Sequence, residues 1–190
     1  NTSYEIKNGT STAAAGVSGG IALLHQYWNL KWPSSGTMWS STVRALLIHN
    51  VDEIDAPGPD YRHGWGVANI RKAAETIKNR GRKDLIIQNK ICNQDTIRIN
   101  LAATGLEDLK ITLAWTDPAG VVTTPLSTNE IAAKLVNDLD IRLIRRNANG
   151  DDMPLLLDPS DPSSINLLNP WILKNNIADN VIPNQPTNNL

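Results

Sequence analysis

From Ala13 to Leu24 the chain reads "AAAGVSGGIALL", twelve residues without a charge and built mostly from Ala, Gly and Ser. No other stretch constrains the fold as tightly. Gly16, Gly19 and Gly20 each cost about 1 kcal/mol against Ala in a helix interior. A helix with no polar face belongs in an interior, where small side chains let neighbouring elements approach its backbone. The run is shorter than the roughly 20 apolar residues that span a bilayer, so burial in protein is the expectation and a membrane span is not. Immediately before it stands "NGTS", Asn8 to Ser11. Ser11 at the mouth of such a helix has two readings. It can be an N-cap, or it can be a nucleophile whose developing oxyanion faces the positive helix end and its unpaired N–H groups. The α/β-hydrolase elbow needs Gly two residues after the Ser, where this chain has Ala13, so that fold is set aside.

The remaining sequence divides by period. Residues 11–80 read as helix. After Leu30, "KWPSSGTMWSS" breaks the pattern with Pro33 and Gly36. A second helix follows behind a Ser41 or Thr42 cap, with Val43, Leu46, Leu47 and Val51 on one face. The Pro/Gly-rich "DAPGPDYRHGWGV" then leads to a third helix, with Asn69 as N-cap, Ile70, Ala73, Ala74 and Ile77 as its apolar face, and Gly81 as its stop. The basic stretch around 81–84 reads as a linker. From 85 to 157 the apolar period is two: Ile97, Ile99 and Leu101; Leu109, Ile111, Leu113 and Trp115; Leu139, Ile141 and Leu143. Such alternation between long turn-rich connections predicts antiparallel strands in an all-β sandwich or jelly roll over 85–190. The Asn-, Pro- and Ser-rich end from Asp158 to Leu190 reads as loop, and no closing strand is evident in it.

Length and charge narrow the function. The 190 residues suffice for one large or two small domains. A net charge of −1 with scattered Lys and Arg points away from nucleic acid. The lone Cys92 excludes an internal disulfide framework, and its surroundings show no sign of a reactive thiolate. Asn137, Asp138 and Asp140, with Asp117 in "TDPAG", offer hard oxygen atoms of the kind calcium takes. The same residue types also favour strand ends and turns without any metal. The acidic "DDMPLLLDPSDPSS" lacks the spacing of an EF-hand loop. No other cofactor is implied.

"NGTSTAAAGVSGGIALL" resembles the Gly-Thr-Ser-Met-Ala-Ala-Pro-His-Val-Ala-Gly signature around the catalytic serine of subtilisin-like proteases. Gly9, Thr10, Ser11, Ala13, Ala14, Val17, Gly19, Leu23 and Leu24 match; Thr12, Ala15 and Gly16 depart from the usual Met, Pro and His. "HGWGVANIRKAAE" is similar to the Gly-x-Gly-x-Val-Asn-Ala segment that closes that catalytic domain. "LKITLAWTDPAG" followed by "LVNDLDIRLI" looks like a β-sandwich appended to some secreted bacterial members. The resemblance implies the C-terminal helical remnant of an α/β catalytic domain over 1–80, a linker at 81–84 and an incomplete sandwich over 85–190. It implies Ser11 as the nucleophile of a serine endopeptidase acting on protein or peptide substrates, in a secreted or cell-envelope setting. Structural calcium at Asn137, Asp138 and Asp140 is also in keeping with it.

In that family the Asp, the His and the oxyanion-hole Asn all precede the Ser, and the ten residues before Ser11 hold neither Asp nor His. His25 would lie about 21 Å from Ser11 along a helix, while His49 and His63 read as structural or surface residues. The chain is therefore expected to work with an upstream part of the same protease and to be inactive alone. The alternative is a non-catalytic binding or structural module in which Ser11 is an inert cap. With the helix partners and the closing strands missing, the isolated chain is also expected to unfold partly or to self-associate.

Overall fold

The computed structural model describes residues 8–54, 58–101, 109–122, 134–141, 143–144 and 151–152. The chain divides into two compact units, one of Asn1–Asp52 with Ala68–Trp115 and one of Glu53–Val67 with Thr116–Leu190. The first carries α1 (Thr10–Lys31), a 3-10 turn (Pro33–Ser35), α2 (Ser40–His49) and α3 (Ile70–Asn79).

All three expected helices form, and the apolar spacing decides what they bury. Leu24 and Trp28 from α1, Val43 and Leu46 from α2, and Ala73 and Ile77 from α3 join Met38 to make the core. Ile70 and Ala74 pack on it as the α3 face predicts. Asn69 caps α3, its side chain accepting from the Lys72 N–H at 2.9 Å, and Gly81, at φ 80°, takes the left-handed conformation just past the end. The cap of α2 is not local. Trp39, and not the expected Ser41 or Thr42, holds the N-cap position, and it makes no side-chain cap. Instead the side-chain carbonyl of Gln88 accepts from the Trp39 N–H at 2.7 Å and from the Thr42 hydroxyl at 2.6 Å.

Two indoles tie the helices to the turns between them. Trp28 Nε1 donates to the Gly36 carbonyl at 2.7 Å, and Trp32 Nε1 to the Ile77 carbonyl at 2.9 Å. The Arg80 guanidinium lies 4.7 Å from the Trp28 ring centroid and 5.2 Å from that of Trp32, and it donates to the Ser35 hydroxyl at 2.8 Å. A charge stacked on two rings, with one of its N–H donors used, is a stable arrangement even when half-buried. At 81–84 the chain makes a tight turn in which the Gly81 N–H meets the Asp84 carbonyl at 2.8 Å.

Two further expectations are corrected. The first concerns α1: of its residues only Gly20, Leu24 and Trp28 are buried, and the uncharged run before Gly20 is exposed or, at Val17, half-exposed. A charge-free sequence makes burial favourable, but it supplies no partner. The second concerns fold class. The all-β sandwich or jelly roll expected to follow an α/β-type remnant is not seen, and the described chain is helical. Among the described residues, the strands are β1 (Leu143–Ile144) and β2 (Asp151–Asp152), antiparallel with Leu143 opposite Asp152, and isolated bridges pair Asp60 with Gly64 and Arg80 with Asp84. Leu109, Ile111 and Leu113 alternate as read, yet each is more than 40% exposed, and so are Ile97, Ile99 and Leu101. Period-two patterning states which face a strand would bury; a sheet also needs a partner in register, and among the described residues none covers that face. The acidic stretch 153–164 and the loop expected over 158–190 lie outside the described residues.

Candidate functional site

Gly9 is the N-cap of α1, with φ 125° and ψ 164° and no side-chain capping bond. Its carbonyl accepts from the N–H groups of Thr12 and Ala13, each at 3.1 Å. Ser11 is therefore the second residue of the helix rather than its cap, and it is exposed. The first N–H groups of a helix have no intrahelical acceptor, and among the described residues those of Thr10 and Ser11 have none outside it either. No acidic side chain stands in the first turn to neutralise the positive end of α1. The hydroxyl of Ser11 thus sits beside its own free N–H, at the place where a helix best stabilises negative charge.

No histidine of the same unit is poised to take a proton from Ser11. His25 is fourteen residues further along α1, about 21 Å at the rise of an α-helix. His49 ends α2, half-buried, with Nδ1 2.9 Å from the Thr112 hydroxyl. Burial, then the Lys110 charge, pushes its pKa below the ordinary value, while Asp84 pulls the other way. In the second unit His63 closes a turn on Asp60. The Asp60 carboxylate accepts from the N–H groups of Arg62 and His63 at 2.7 and 2.6 Å, and the imidazole stands 3.6 Å away. Burial alone would raise the Asp60 carboxyl; those N–H groups and the imidazole outweigh it and hold it below the usual carboxylate value. His49 and His63 both serve local structure.

Asn137, Asp138 and Asp140 lie in the second unit, where Asn137 and Asp138 are exposed. Asn137 is engaged with Asp117, whose carboxylate accepts from the Val136 N–H at 2.7 Å, the Asn137 N–H at 3.0 Å and the Asn137 side-chain amide at 2.8 Å. Desolvation would raise the Asp117 carboxyl, but these three donors prevail and lower it. A Cβ on Gly120 would fall on the Lys134 carbonyl, so the two segments meet backbone to backbone. Among the described residues no three His, Cys, Asp or Glu side chains gather as a set of metal ligands. From its sequence Asp117 is an oxygen donor for calcium or a turn former, and the bond to Asn137 is not among its expected roles. The signal was there: an Asp before Pro-Ala-Gly is a ready acceptor for chain returning beside it.

A shallow apolar groove of about 540 Å³ runs between α1 and α3, lined by Leu23, Tyr27 and Leu30 on one side and Ile70, Arg71 and Ala74 on the other. Leu23 is 61% and Leu30 75% exposed. Apart from Tyr27 the groove lining carries no nucleophile or base, and it belongs to packing rather than chemistry. Among the described residues no helix is long and apolar enough to cross a membrane.

Residues 1–66 match the Subtilase family. The chain is similar to a serine protease/ABC transporter B family protein, tagA, of Dictyostelium discoideum, with 32% identity over 152 residues. The similarity covers 72% of this chain and 8% of that protein, so the chain spans a small part of the relative it matches. No solved structure matches.

Proposed function

We propose that this chain carries the nucleophile of a subtilisin-like serine endopeptidase, with Ser11 as the attacking residue. One observation supports the reading above the rest. Ser11 lies within the residues that match the Subtilase family, exposed at the second position of α1, with its own N–H free among the described residues. Ser11 Oγ would attack the peptide carbonyl carbon and lose its proton to a His that an Asp orients. The Ser11 N–H would be one donor to the oxyanion, and an Asn side chain would be the other. Collapse of the tetrahedral species would expel the amine and leave the acyl group on Oγ for water to remove.

The His, the Asp and the oxyanion Asn would come from polypeptide outside this chain. The small share of the Dictyostelium protein that the chain spans is consistent with that. The same polypeptide would cover the exposed front of α1 and the Leu23–Leu30 edge. A fluorophosphonate probe tests the reading. A longer protein that includes the preceding sequence should label at Ser11, Ser11→Ala should abolish labelling and peptide cleavage, and the 190-residue chain should not label. Labelling of the isolated chain, or of the Ser11→Ala protein, would refute this assignment. A longer protein that folds but never labels would favour the non-catalytic module, consistent with Thr12, Ala15 and Gly16 departing from the usual signature.

A further inference from the structure

Asn8 and Gly9 lie exposed at the start of α1. The space around Gly9 is open: a Cβ added there would meet nothing within 4 Å. The Gly9 carbonyl is held by Thr12 and Ala13, but among the described residues neither the Asn8 side-chain amide nor the Gly9 N–H has a partner. Other asparagines differ. Asn50 is buried, donating to the Leu46 carbonyl and accepting from the Thr76 hydroxyl. Asn69 is bonded to Lys72 and Asp52, and Asn137 to Asp117. None of these three precedes a glycine.

We propose that Asn8 is a site of spontaneous deamidation, which places a carboxylate three residues before Ser11. The chemistry needs only water. The Gly9 backbone nitrogen attacks Cγ of Asn8, with no Cβ on Gly9 to obstruct the approach. The nitrogen's proton passes to the departing side-chain amide, which leaves as ammonia, and a five-membered succinimide remains. Water adds to either succinimide carbonyl and opens the ring. One opening yields an ordinary aspartyl residue and the other an iso-aspartyl residue, in which the main chain runs through the side-chain carbon and gains a methylene. Both bring a negative charge to the positive end of α1, which attracts it. On the reading of Ser11 as nucleophile, that charge also opposes an oxyanion forming on the first N–H groups of the helix. The iso-aspartyl product further displaces Gly9, whose carbonyl receives the Thr12 and Ala13 N–H groups. Asn8 would then act as a slow, irreversible timer on the site.

Peptide mapping by mass spectrometry after ageing the chain in mildly alkaline buffer tests the chemistry without reference to activity. The Asn8 peptide should gain the mass of amide-to-acid conversion several-fold faster than the peptides holding Asn50, Asn69 and Asn137, with the iso-aspartyl product exceeding the aspartyl one. The Asn149–Gly150 peptide is resolved separately. Gly9→Ala should slow conversion several-fold and Asn8→Ser should remove it, with circular dichroism confirming that α1 persists. Conversion of Asn8 no faster than of Asn69, or unchanged in Gly9→Ala, overturns the proposal. The coupling to Ser11 is read in the longer protein, where aged samples should label with fluorophosphonate several-fold more slowly than fresh ones and Asn8→Ser should not decline. Fully converted protein that labels at the fresh rate overturns the coupling. Absence of labelling in fresh protein overturns the Ser11 assignment and leaves the mass readout to judge Asn8.

Discussion

Replacing Trp28 by phenylalanine isolates what the indole contributes at the centre of the helical unit. The side chain is wholly buried, and Nε1 donates to the Gly36 carbonyl at 2.7 Å. Phenylalanine keeps an aromatic ring but has no donor, so the Gly36 oxygen loses its partner at a cost of about 1–2 kcal/mol. The smaller ring also leaves unfilled volume in the core that Trp28 shares with Leu24 and Ile77, which adds about 1–2 kcal/mol through lost transfer energy and residual cavity. Arg80, 4.7 Å from the indole centroid, exchanges the better cation–π partner for a weaker one, worth about 0.5 kcal/mol. The expected loss is about 2.5–4.5 kcal/mol, a large part of the roughly 5–15 kcal/mol that holds a typical domain together. Trp39→Phe supplies the control, because that ring is 41% exposed and should cost under about 0.5 kcal/mol. Urea titration at low protein concentration, followed by the helical circular dichroism signal, measures both. The Trp28→Phe midpoint should fall with the slope unchanged. If the two variants unfold at the same urea concentration, the packing argument for Trp28 is wrong.

The glycines of α1 should behave oppositely according to place. Gly20→Ala puts a Cβ 2.6 Å from Ile70 Cγ1 and Cδ1 and should cost about 1–2 kcal/mol by overpacking, whereas Gly16→Ala, in open space, should add up to about 1 kcal/mol of helix stability; thermal unfolding of the pair checks the sign. His49 should make the helical unit acid-sensitive. Its folded pKa is lowered from 6.5, so the neutral form is favoured on folding, and its contribution is complete above pH 6.5 and lost as pH falls through the folded value. Protection factors of the α2 amides, corrected for the intrinsic pH dependence of exchange, should fall on acidification in the native chain, and the His49→Gln variant should show a flatter pH response. Light scattering of the isolated chain should show self-association that weakens when Leu23 and Leu30 are changed together to Gln, since the two are exposed beside an apolar groove; a monomer at all concentrations would contradict this.

The positions of the three helices were legible in the sequence, because helix formation is local chemistry. Val43 and Leu46, and Ile70, Ala73, Ala74 and Ile77, recur at helical spacing. Asn69 can satisfy an N–H three residues ahead, and Gly81 can take the positive φ that ends a helix. The candidate site was legible to the same degree: Gly-Thr-Ser before an uncharged run marks a helix start bearing a hydroxyl. What the tertiary structure decided is everything that needs a second segment. Gln88 caps α2 from beyond α3, and Arg80 stacks on Trp28 and Trp32 although it borders what reads as a basic linker. Asp117 takes its donors from Val136 and Asn137. Ser11 proved to be inside the first turn because Gly9, at a positive φ, accepts the helix's first bonds. The uncharged front of α1 and the alternating Leu109–Leu113 series are exposed for one physical reason. A pattern along the chain specifies the face that would gain from burial, but the gain is realised only where another surface of matching shape and register is present to cover it.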